Sequence, residues 1–218
     1  MTENKQISQR RFQWRYFVWF GLGAACFLIS QPLLRLPLLG LWAQTGSYTL
    51  FSVVYPTAFF ILLSFSAGLF EEGFRFLFKK FLLRPAQCSI LQPVLFGLGH
   101  GTAEAVMVLL PLFLSGYSVG DLWLGIVERA LAIVLHIALT ILVWNGFQTG
   151  WRVRFLLAAI AVHGLVNSVV SLLVTGGLAT VQAELVFGAM VLVMAVYAFH
   201  SRKLYIGGNR DEKTDSET

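Results

Sequence analysis

Charge is what this chain has least of. Only 12% of its 218 residues are Asp, Glu, Lys or Arg, against 57% hydrophobic residues and a mean hydropathy of +0.73. A water-soluble domain of this size needs a polar exterior, so the composition argues against one. Cysteine is nearly missing too. The 2 present, Cys26 and Cys88, lie in or beside different apolar segments, which argues against a disulfide framework. There is no internal repeat, no linker to a second domain, and no His-Glu-x-x-His motif to set a zinc pair and a base on one helix.

What is there is length without polarity. Several stretches reach about 20 apolar residues, enough to cross a bilayer as a helix. The expected fold is therefore all-α, a polytopic bundle of six spans near 16–34, 50–78, 88–115, 122–144, 153–174 and 182–200. The second and third runs exceed a minimal span, which implies tilt, a kink or emergence from the bilayer. The segment "LPLLGLWAQTG" (36–46) is apolar but too short to cross, so it either lies in the interface or re-enters, or adds a seventh span. The start resembles a signal peptide in outline, but no clear small-x-small site follows it, so a retained first helix is expected. Residues 1–204 read as one transmembrane domain, and "GGNRDEKTDSET" within 205–218 as a polar, disordered tail.

Positive charge gives this bundle a direction. The N-terminus carries Lys5, Arg10, Arg11 and Arg15, and the second inter-span region carries Arg75, Lys79, Lys80 and Arg84. Arg152 and Arg154 follow in the fourth, then Arg202, Lys203, Arg210 and Lys213 at the C-terminus. Of the 16 Lys and Arg, only Arg35 and Arg129 fall elsewhere. Cations stay on the cytoplasmic side, so both termini are expected there, in a cell membrane. The net charge of +5 is thus a topology signal, and no nucleic-acid partner is implied.

Within the spans stand residues that lipid does not tolerate: Glu71, Glu72, Arg75, His100, Glu104, Glu128, Arg129, His136, His163 and Asn167. A charge at the bilayer centre costs about 2.5–3.5 kcal/mol on insertion scales. These groups must face one another or water. Glu71 and Arg75 are spaced i,i+4, acid first. His100 and Glu104 share a face, as do His163 and Asn167, and Glu128 and His136 fall on adjoining faces. Depth along the spans allows Glu71, His100, His163 and Asn167 to meet between the midplane and the cytoplasmic surface. Glu128 belongs nearer the outer side, supporting the site or lining an entry path.

Each feature also has a plain structural reading. Glu71, Glu72 and Arg75 suit a membrane-border salt bridge, and His136 suits a lone histidine bonded to a backbone carbonyl. Glu104 suits a residue orienting His100, Glu128–Arg129 a structural pair, and His200 an interfacial residue. "GLGHG" (97–101) suits close helix packing. An acid pair, a His and a His-x-x-x-Asn on three separate spans are harder to explain that way.

Those three motifs, "EEGFR" (71–75), "FGLGH" (96–100) and "HGLVN" (163–167), resemble the signature of the CAAX-protease-like (ABI) superfamily of intramembrane peptidases. Together with "LFEEGFRF", "GLGHGTAEA", "VERALAIVLH" and "AVHGLVNS", they are most similar to its YhfC family, over roughly residues 50–175. The acid-to-arginine spacing is one residue shorter than is usual in the superfamily. The resemblance implies peptide-bond hydrolysis within the membrane. Glu71 would be the water-activating base and His100 would help to hold the water. His163 and Asn167 would stabilise the oxyanion, while Glu72 and Arg75 position Glu71.

Amide hydrolysis needs those roles filled: a base, a proton donor and donors facing the oxyanion. A metal-free, glutamic-type site is the favoured expectation. The alternative is zinc held by Glu71, His100 and His163, a His₂Glu set with an open position, with Glu72 or Glu104 as base. The expected partners are the lipid bilayer and a membrane-protein or peptide substrate. A proton-coupled transporter and a non-catalytic scaffold or immunity protein are the competing classes. The topology is directly testable. A fluorescent protein fused to the C-terminus is expected to fluoresce, and a periplasmic phosphatase fused there to stay inactive. The opposite pattern would reverse the orientation.

Overall fold

The computed structural model describes residues 2–205, with side chains from Trp14 onward. Most of the polar tail therefore lies outside the described residues. Every regular element among the described residues is helical, and six of the helical stretches are long and apolar enough to cross a membrane. In lipid the backbone must satisfy its own hydrogen bonds, which leaves helices as the form open to such segments.

The first span runs over Trp14–Ala43. It is built from α1 (Thr2–Leu28), a π-helical segment (Ile29–Arg35) and α2 (Leu36–Ala43) in direct succession. The apolar stretch after residue 36 thus continues the first span as a helix, in place of the separate interfacial or re-entrant element expected. Pro32 sits inside the π segment, where its missing N–H favours a departure from the regular ladder.

The second run is interrupted. Thr45 caps α3 (Gly46–Val54), and α4 (Pro56–Phe81) begins afresh with Pro56 in its first turn. The remaining spans are α5 (Leu91–Leu114), α6 (Val119–Thr149), α7 (Arg152–Thr175) and α8 (Thr180–Ser201). A reciprocal capping box starts α6, with Asp121 accepting from the Ser118 backbone N–H at 2.8 Å.

Helix α6 is the hub. Half of its apolar window is buried in protein, against 28–33% for the other spans. It packs against α5, α7 and α8, while α1 covers α5 and α4 lies along α7. The α1–α5–α6 stack is tight because of the glycines around His100. A Cβ on Gly99 would stand 2.0 Å from the Phe20 carbonyl oxygen, and one on Gly97 would stand 2.6 Å from Ile137 Cα. The packing role read for "GLGHG" is therefore present, and it fixes the helix that carries His100.

The centre of the bundle is filled at the end that carries Lys79 and Arg84. Lys79 Nζ donates to Leu83 O and Pro85 O at 3.1 Å each and to Gln92 Oε1 at 2.7 Å, and Trp144 Nε1 donates to the same Gln92 oxygen at 3.1 Å. Tyr205, assigned by sequence to the disordered tail, is buried instead. Its hydroxyl donates to Ile141 O at 3.2 Å and to Asn145 Oδ1 at 3.0 Å, because it lies against the hub helix.

Gly99→Val is expected to force α1 and α5 apart at a cost of about 1–3 kcal/mol or more, as overpacking does. A lower unfolding temperature in detergent would show this. An unchanged temperature would contradict the close crossing.

Candidate active site

The acid pair lies one helical turn above the arginine that neutralises it. Arg75 is fully buried on α4. Its Nη1 donates to Glu72 Oε1 at 2.5 Å, and its Nη2 stands 3.6 Å from Glu71 Oε2. The i,i+4 pair expected from spacing is thus the looser contact, and the i,i+3 pair with Glu72 is the tighter one. Arg75 Nη2 also donates to His136 Nδ1 at 2.6 Å. A buried charge needs such partners, since leaving it unpaired in a dry interior costs several kcal/mol.

The two carboxylates have different surroundings. Glu72 is closed off, with Oε1 shared between Arg75 and His163, whose Nδ1–H donates to it at 2.8 Å. Glu71 is the carboxylate that reaches the cavity. Its Oε2 accepts from His100 Nε2–H at 2.9 Å, and its Oε1 accepts from Gln31 Nε2 at 2.5 Å. Gln31 in turn accepts from Arg35 Nη1 at 3.0 Å, and Arg35 also donates to Ser66 Oγ and to Leu63 O. Sequence reading missed Gln31 and assigned Arg35 no role. The signal was a glutamine, a proline and an arginine within one apolar run, "SQPLLR".

His136 is the main revision. It was read as a histidine bonded to a backbone carbonyl, yet both of its nitrogens bond side chains. Nδ1 accepts from Arg75, and Nε2–H donates to Glu104 Oε2. That fixes the tautomer, because Nδ1 must carry a lone pair and Nε2 the proton. The donor atoms of Glu71, His100 and His136 lie within 4.8 Å of one another. The zinc set expected from sequence had His163 in place of His136. His163 faces Glu72 instead, because α7 lies along the side of α4 that carries the second acid.

Glu104 does not orient His100, whose Nδ1 has no hydrogen-bond partner among the described residues. It serves His136 and accepts from Arg129 Nη1 at 2.7 Å, while Arg129 Nη2 also donates to Glu128. The expected Glu128–Arg129 pair is present, within a larger network. His200 Nδ1–H donates to Val196 O at 2.9 Å, on the exposed surface and apart from the site. Asn167 is half-buried and lines the same cavity as His163.

The residues present suit a bound metal. Three ligands of oxygen and nitrogen type, two histidines and one carboxylate, are a common catalytic zinc set. The His136–Glu104 contact supplies the carboxylate that usually orients a ligating imidazole. Two contacts run the other way, since the Arg75 guanidinium already occupies the His136 lone pair and His100 Nε2–H is turned onto Glu71.

A family model described as YhfC intramembrane metalloprotease matches residues 7–121 and 113–188. No curated protein and no solved structure matches the chain.

Arg75→Ala should leave Glu72 buried without a cation and destabilise the protein by about 3–5 kcal/mol. Thermal unfolding of the purified variant measures this, and near-wild-type stability would mean that Glu72 is not ion-paired.

Proposed function

Because the chain belongs to the YhfC intramembrane metalloprotease family, we propose that it is a multi-pass membrane endopeptidase whose zinc is held by Glu71, His100 and His136. The observation that carries this reading is the convergence of those three donors, from α4, α5 and α6, beside a cavity of about 440 Å³ that Glu71 and His136 line. When bound, the metal would supply Lewis acidity, lowering the pKa of a bound water and polarising a carbonyl.

The chain's own residues supply the rest. Glu71, held by Gln31 on one oxygen and facing His100 with the other, is fixed as a ligand. Glu72 is shut away by Arg75 and His163, and of the other carboxylates that line the cavity, Glu104 and Glu128, Glu104 is the one bonded to His136 and so the one placed to take a proton from cavity water there. His163 holds its Nδ1–H on Glu72, which leaves Nε2 for substrate as an acceptor in the neutral ring and as a donor in the protonated one, and Asn167 on the same helix face lines the wall beside it. These two suit the oxyanion or the peptide backbone.

This reading replaces the metal-free site favoured from sequence, in which Glu71 itself is the base. The metal-free mechanism keeps two points in its favour, the Arg75 contact on His136 Nδ1 and the His100 Nε2–H bond to Glu71. Under the metal reading, Arg75 turns away from His136 while keeping Glu72.

Metal content separates the two. Purified wild-type protein is expected to retain stoichiometric zinc, and His136→Ala to lose it. His163→Ala should keep it. Cleavage should stop with a strong chelator and return with added zinc. Full activity in metal-free protein would overturn the metal and leave Glu71 as base. Comparative membrane proteomics of cells carrying wild type or Glu71→Gln is expected to find the substrate as a cut product that the variant lacks.

A further inference from the structure

The cavity above Glu71 has a side. Its lining comes from Gln31 and Arg35 in the later half of the first span, and from Leu63 in the earlier half of α4. It continues with Glu104 late in α5, Arg129 early in α6 and Ser171 late in α7. Successive spans run in opposite directions, so these halves all lie at one end of the bundle. That end is opposite the Lys- and Arg-rich termini.

The centre of the other end is packed. Phe78, Leu83, Phe96, Leu139, Trp144 and Phe147 form a continuous buried cluster there, and the Lys79–Gln92–Trp144 contacts lie within it. A second cavity of about 620 Å³ at the cytoplasmic border, lined by Arg15, Arg84 and Gln87 among others, shares no residue with the first.

We propose that substrate reaches the site from the non-cytoplasmic side, so that the bond cut belongs to an extracytoplasmic or outer-leaflet segment of a polypeptide. This rests on the peptidase reading for the word substrate, and on the positive-inside orientation for the word side. The walls suit such a segment. Arg35, Glu104, Glu128 and Arg129 line the route to Glu71 with both signs of charge, which can take up the exposed N–H and C=O groups of an unwound peptide. A fully helical segment within the membrane core presents none of these groups, and the cavity at the opposite end shares no lining residue with the one at Glu71.

The test labels cysteines placed in the cavity wall, in a background with Cys26 and Cys88 replaced by Ala. Ser171→Cys and Leu63→Cys lie on different helices, and neither is assigned to the site chemistry. Gln87→Cys in the exposed loop after α4 is the cytoplasmic control. A charged, membrane-impermeant methanethiosulfonate is expected to modify both wall cysteines in intact cells with the outer membrane opened, and Gln87→Cys only in inside-out vesicles.

Modification of the wall cysteines from the cytoplasmic side alone would overturn the proposal. So would their resistance from both sides in protein that still labels at Gln87→Cys. The readout needs no activity, so a failure of the zinc assignment leaves it standing. A second arm reads the substrate, since cut sites found by the Glu71→Gln comparison should fall in extracytoplasmic or outer-leaflet segments. Cut sites confined to cytoplasmic segments would overturn the proposal.

Discussion

The ion pair between Arg75 and Glu72 is the contact on which the rest of the site depends. Both side chains are completely buried in a bundle surrounded by lipid, where an unmatched charge is prohibitive. Each therefore recruits further partners. Glu72 draws in His163 from α7, and Arg75 draws in His136 from α6. Glu71, freed from any obligation to neutralise the arginine at close range, is left to face His100 and the cavity. The pair thus fixes three helices against each other and divides labour between the two acids.

Around that pair the bundle is asymmetric. The half that carries the basic residues has a packed aromatic and aliphatic core, and the other half holds the polar-lined cavity at Glu71. The π-helical segment marks the boundary. A π turn rotates the following residues relative to a regular helix, and such turns recur at functional sites. Here Gln31 and Arg35 lie within it, and their side chains run from Ser66 and Leu63 on α4 down to Glu71. Polar groups that lipid would exclude are thereby gathered along one wall.

Much of the fold was legible because lipid imposes a strict rule: long apolar runs must be helices, and cations mark one side. The partnership of Glu71 with His100 was legible for a similar reason, since intramembrane charges must meet. The errors came from groups whose partners cannot be read from spacing. Glu104 shares a helical face with His100, yet it bonds His136 across to α6. His163 carries the expected motif, yet it serves the second acid. Gln31 is uncharged and so raised no alarm in an apolar run.

The sequence by itself determined six apolar crossings and the list of groups that could not be left in lipid, because these follow from transfer free energies of individual residues. Only the tertiary structure decided which imidazole sits with which acid, that the first span bends through a π segment onto Glu71, and that the hollow half faces away from the basic termini. Those outcomes depend on how far helices approach and rotate. That is set by contacts such as Gly99 against Phe20, between residues far apart in the chain.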